Sequence, residues 1–92
     1  MTPSEAHAEI CVINQTPDTL YIEVTTWSKS IKREVDPTSR ICAEGDSSGE
    51  IVVASDPEAY DACEHLIQPG NTELLLRFNF GVCQWALFVP DS

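Results

Sequence analysis

Apolar and polar positions alternate along most of this chain with a period of two, the pattern of strands with one face buried. Residues 20–27 show it most clearly: Leu20, Ile22 and Val24 fall on one side, and Tyr21, Glu23, Thr25 and Trp27 on the other. Residues 9–14 differ, because Ile10, Cys11, Val12 and Ile13 follow one another without interruption. A β-branched run of this length predicts a strand buried on both faces. Pro17-Asp18 between the two segments signals a turn, so the pair is expected to form a β-hairpin. Residues 28–36 put Ile31, Arg33 and Val35 on one face and Lys32 and Glu34 on the other. Lysine on a sheet edge discourages edge-to-edge association, and an edge strand is expected here. Short strands at 40–43 and 50–54 flank the turn residues Gly45-Asp46-Ser47-Ser48-Gly49.

The period changes after residue 55. Asp56 suits a helix N-cap and Pro57 the first helical position. Ala59, Ala62, Cys63 and Leu66 then recur at i, i+3, i+4 and i+7, with Glu58, Asp61 and Glu64 opposite. A short helix near 57–66 is predicted, with Cys63 turned to the core. Gln68-Pro69-Gly70-Asn71 fits a type II turn. In 73–80 the alternation points Leu74, Leu76, Phe78 and Phe80 inward and Glu73, Arg77 and Asn79 outward. Gly81 marks a turn, and 82–89 closes the domain with Cys83, Trp85, Leu87 and Val89 on one face. The expectation is an all-β fold: a small antiparallel β-sandwich or barrel of about five to seven short strands plus that one helix. Residues 1–8 read as a flexible N-terminal tail and 9–92 as a single β domain.

Charge adds a second pattern. The 92 residues carry a formal charge of −10. Four of the five cations, Lys29, Lys32, Arg33 and Arg40, lie within twelve positions. From there to Arg77 there is no lysine or arginine but eight acids: Glu44, Asp46, Glu50, Asp56, Glu58, Asp61, Glu64 and Glu73. This balance argues against nucleic acid, whose phosphates need cations, and against anionic membranes. No apolar run approaches the ~20 residues of a membrane helix, so membrane insertion is not expected. No signal peptide is visible, because 1–9 lacks an apolar stretch. A trimmed mature secreted fragment has the same appearance, so compartment stays open.

Four cysteines, Cys11, Cys42, Cys63 and Cys83, permit a disulfide framework with three connectivities. Closing the loop from Cys42 to Cys63 would contribute roughly 3 kcal/mol, and joining Cys11 to Cys83 roughly 4 kcal/mol, by loop entropy. The alternative is four buried thiols acting as small apolar side chains.

Catalytic constellations are weak, and no enzyme and no cofactor is expected. Cys63 and His65, two apart, would not face each other on a helix. The cysteine spacings fit no zinc finger or ribbon. Glu44, Asp46, Ser48 and Glu50 alternate around Gly45 and Gly49 as weak calcium candidates, without the EF-hand pattern. Tyr21 and Trp27 could offer an exposed aromatic pair to a sugar ring or a protein. Asn14-Gln15-Thr16 matches a glycosylation sequon.

The leading expectation is a non-enzymatic binding module with segregated basic and acidic surfaces. Lys29, Lys32, Arg33, Glu58, Asp61, Glu64, Tyr21 and Trp27 would contact a protein partner or a second copy, through association that weakens with salt. The alternatives are an acidic inhibitor or immunity-type protein that binds a basic partner, and a calcium-dependent sugar- or surface-binding domain.

Overall fold

The structure, a computed structural model, describes residues 9–27, 29–45, 48–58 and 61–88. The described residues form eight strands: β1 (Glu9–Asn14), β2 (Leu20–Thr25), β3 (Ser30–Val35), β4 (Arg40–Glu44), β5 (Gly49–Ala54), β6 (Ala62–Ile67), β7 (Thr72–Asn79) and β8 (Val82–Leu87). They make two four-stranded sheets, ordered β4-β1-β7-β8 and β3-β2-β5-β6. All pairings are antiparallel except β1 with β7. The sheets stack as a sandwich, and the core between them comprises Ile10, Val12, Leu20, Ile22, Val24, Val35, Ile41, Ala43, Ile51, Val53, Cys63, Ile67 and Leu75. The all-β sandwich expectation holds.

Three local expectations do not. The segment expected to be a helix near 57–66 ends in β6, and no helix occurs among the described residues. Ala62–Ile67 satisfies both periods, and pairing with β5 in the register Val53↔Cys63 and Gly49↔Ile67 decides between them. A lone helix of about ten residues gains little by itself in water. As a strand, the segment buries Cys63 and Ile67, and it exposes Leu66, which the helix would have buried.

Second, β1 and β2 do not form a hairpin, because they lie in different sheets. Asn14 directs this crossing. It is fully buried, its Nδ2 donates to the carbonyls of Asp18 and Val35 at 2.9 Å each, and its Oδ1 accepts from the amide and hydroxyl of Thr16. Its main chain also accepts from Thr38 and donates to Ser39, which holds the β3–β4 crossover. A satisfied buried network of this kind fixes a chain path. With both Nδ2 hydrogens engaged inside, the sequon asparagine has no room for a glycan in the folded protein.

Third, β7 changes phase midway. Glu73 and Leu75 point inward and Leu76 outward, against the expected alternation. The β7–β8 register slips between Leu75 and Arg77. Such a β-bulge inserts one residue and turns the following side chains over, so Phe78 regains the core. Phe80 does not point inward. It sits in the two-residue turn to β8 and is 82% exposed.

The cysteines form two disulfides, in the pairing Cys11–Cys42 and Cys63–Cys83. The bridges Cys42–Cys63 and Cys11–Cys83 are not present. Cys11 and Cys42 are directly opposed on β1 and β4, with Cα atoms 4.1 Å apart. Cys63 and Cys83 join β6 of one sheet to β8 of the other. The bridge therefore fastens one open edge of the sandwich.

Candidate interaction surface

The outer face of the β3-β2-β5-β6 sheet carries three of the eight residues expected to bind a partner, Tyr21, Lys32 and Glu64. Strand register aligns Lys32, Glu23, Val52 and Glu64 across it, flanked by a row of Ser30, Thr25, Glu50 and Leu66. A third row comprises Glu34, Tyr21, Ala54 and Ala62. The face is acidic. The Tyr21 phenol is pushed above its ordinary titration range by its hydrogen bond to Glu34, then by partial desolvation, then by the charges of Glu34, Glu58 and Asp56. Lys32 spends its ammonium on the Pro57 carbonyl at 3.2 Å.

Other expected contacts are dispersed. Arg33 turns toward the opposite sheet and donates to the Arg40 carbonyl at 2.9 Å, which leaves Lys29 as the exposed cation of the β2–β3 turn. Trp27 projects from that same turn, 90% exposed and away from Tyr21. The turn is anchored beneath it by Thr26, whose hydroxyl accepts from the Lys29 amide and lies 3.3 Å from the Glu44 carbonyl. Glu58 and Asp61 stand exposed in the β5–β6 connection, so with Glu64 on the sheet face the three do not share one helical side. Of the calcium candidates, Asp46 lies outside the described residues. Glu44 points from the outer face of one sheet and Glu50 from that of the other, while Ser48 is 3.4 Å from Gln68. Among the described residues, the one grouping of metal-ligand atoms is Glu9 with Cys11 and Cys42, whose sulfurs are bonded to each other.

The β7–β8 hairpin, which the charge pattern did not single out, is the other prominent surface. Seven large hydrophobic residues are exposed among the described residues, and five of them, Leu76, Phe80, Val82, Leu87 and Phe88, lie on this hairpin or just past its end. Its turn is strained. Phe80 has φ 51° and Gly81 φ 81°, the left-handed pair of a type I′ turn. Glycine tolerates that region, but a bulky residue there costs of the order of 1–2 kcal/mol. Two shallow clefts of about 280 and 430 Å³ flank the turn, sharing Asp18, Phe78 and Asn79.

Beneath β8, His65 stacks on Trp85 with ring centroids 4.5 Å apart and places Nε2 3.3 Å from the Glu73 carboxylate. With Cys63–Cys83 these contacts tie β6 to β7 and β8. The cue missed in the sequence was Phe80-Gly81 between two alternating runs, a hairpin signal that places Phe80 at a tip rather than in the core. No helix of the described residues is long and apolar enough to cross a membrane. No family model matches the chain, and neither a curated protein nor a solved structure does.

Proposed function

We propose that this chain is a non-enzymatic protein-interaction module whose contact surface is the β7–β8 hairpin. The observation that carries this reading is the concentration of exposed Leu76, Phe80, Val82, Leu87 and Phe88 on or just past one hairpin, five of the seven large exposed hydrophobics among the described residues. Soluble monomers rarely leave large contiguous apolar patches uncovered, and such patches mark contact sites. The two clefts beside the turn are shallow and open, which suits a protein partner better than a small substrate.

The acidic outer face of the other sheet favours a second reading, an inhibitor or immunity-type protein that offers Glu23, Glu34, Glu50 and Glu64 to a basic partner. One experiment separates the two. A photo-crosslinking residue is placed at Gln84 in one sample and at Glu64 in another, in the full chain within its own cells. Adducts from position 84 alone support the hairpin reading, and adducts from position 64 alone support the acidic face. Adducts from neither position overturn both.

A further inference from the structure

We propose that the hairpin's partner is a second copy of this chain, joined by antiparallel pairing of β8 with β8 about a two-fold axis. This rests on the reading of the hairpin as the contact surface and adds the identity of the occupant.

The four edge strands are not alike. Charges protect β3 (Lys32, Arg33, Glu34), β4 (Arg40, Glu44) and β6 (Glu64). Strand β8 and the residue after it read Val82-Cys83-Gln84-Trp85-Ala86-Leu87-Phe88, with no charge and no proline. An unprotected apolar edge is a template for another strand. Among the described residues, β8 pairs with β7 alone. The Phe88 amide donates to the Thr72 carbonyl at 2.9 Å. Antiparallel ladders alternate, so the N–H and C=O groups of Leu87, Trp85 and Cys83 point to the open side.

The edge is also self-complementary. A two-fold axis at Trp85 sets Leu87 opposite Cys83 of the second copy, which matches each outward N–H with a C=O. On the outer face, Val82 then meets Phe88 of the second copy, with Gln84 and Ala86 between them. Isologous contacts of this type close on themselves and do not propagate.

Charge selects the occupant. Each copy carries −10, yet residues 74–88 contain one charged side chain, Arg77. Two like-charged molecules approach at least cost where acids are fewest, and the β7–β8 hairpin is the least acidic stretch of the described surface, with Asp18 and Asp61 at the margin of its turn. From the fractional exposures, the five apolar residues offer on the order of 500 Å² per copy, against the roughly 800 Å² per partner of a standard interface. The paired main chains of the two β8 strands add to that area.

The test is sedimentation equilibrium of the full, disulfide-intact chain over a range of protein concentrations, at low and at high salt. The expected result is a reversible dimer whose dissociation constant falls several-fold as salt rises, because screening relieves the repulsion between copies. Leu87→Pro removes an N–H that points away from β7 and should abolish the dimer. Gln84→Lys places a charge on the edge and should weaken it at least tenfold with an unchanged melt, which guards against misfolding of the proline variant. Lys32→Ala on β3 should leave the dimer intact. A wild-type monomer under every condition overturns the proposal, and so does a dimer that survives both β8 variants or one that weakens with salt. Gln84 crosslinks to other proteins alongside a monomeric chain would remove the second copy while leaving the hairpin as the contact surface.

Discussion

The two open edges of this sandwich are closed by different chemistry. At β3 and β4, closure is polar: Arg33 donates across to the Arg40 carbonyl, and buried Asn14 binds Val35 and the β3–β4 crossover. At β6 and β8, closure is covalent and apolar, through Cys63–Cys83 and the stack of His65 on Trp85. The charged edge is guarded by Lys32, Arg33 and Glu34 on β3 and by Arg40 and Glu44 on β4. The apolar edge is cross-linked beneath and, among the described residues, uncovered outside. A surface that is firm and unsatisfied can bind without first having to order itself.

Asn14→Ala gives the largest effect at the polar edge. It strands the Thr16 amide and takes a donor from the Val35 carbonyl, while the Asp18 carbonyl keeps the Thr16 hydroxyl, so at about 1–3 kcal/mol for each unpaired group a loss of about 3 kcal/mol is expected in urea unfolding. A cost below 1 kcal/mol would show that the network is not what holds that edge.

Replacing Cys63 and Cys83 together by Ala should cost about 3 kcal/mol through loop entropy, while Arg33→Ala at the opposite edge costs under about 1 kcal/mol. Equal losses in parallel melts would erase the distinction between covalent and polar closure.

Phe80→Gly relieves the left-handed backbone and should stabilise the fold by about 1 kcal/mol, or about 4–8 °C in the melting midpoint. The same change should weaken association, since the exposed ring is lost. A variant that is stabilised and still associates fully would remove Phe80 from the interface.

The smallest effect concerns Tyr21, beside the charged edge. Its folded-state titration lies above the ordinary tyrosine value of 10.0, so its contribution is present below that value and is lost as pH rises through the higher one. Glu34→Gln removes the leading cause and should bring the phenol back toward the ordinary value. Ultraviolet phenolate titration in a Tyr60→Phe background reads this, and an unmoved midpoint would mean that Glu34 does not set it.

What the sequence disclosed follows from where side-chain pattern alone decides. Leu20, Ile22 and Val24 alternate cleanly and are buried, the cationic strand lies at an edge, and Pro69-Gly70 makes its turn with Gly70 at φ 84°. The failures lie where tertiary pairing decides. Residues 62–67 fit a helix and a strand equally, and only the register with β5 separates them. One extra residue in β7 reversed the facing of Glu73 to Leu76, and no composition signal marks a bulge in that run. Disulfide partners depend on strand order, which brings Cys11 beside Cys42 across 31 residues. The candidate surface was hidden for a related reason. Leu76 and Phe80 look like core until the bulge and the turn put them outside, whereas charges attract notice wherever they fall.

Residue-resolved amide hydrogen exchange at low and high protein concentration tests the contrast between the edges most directly. Protection of the outward amides of Cys83, Trp85 and Leu87 should rise with concentration, while the amides of β3 exchange at the same rate throughout. Equal, concentration-independent exchange at both edges would contradict the assignment of β8 as the pairing edge.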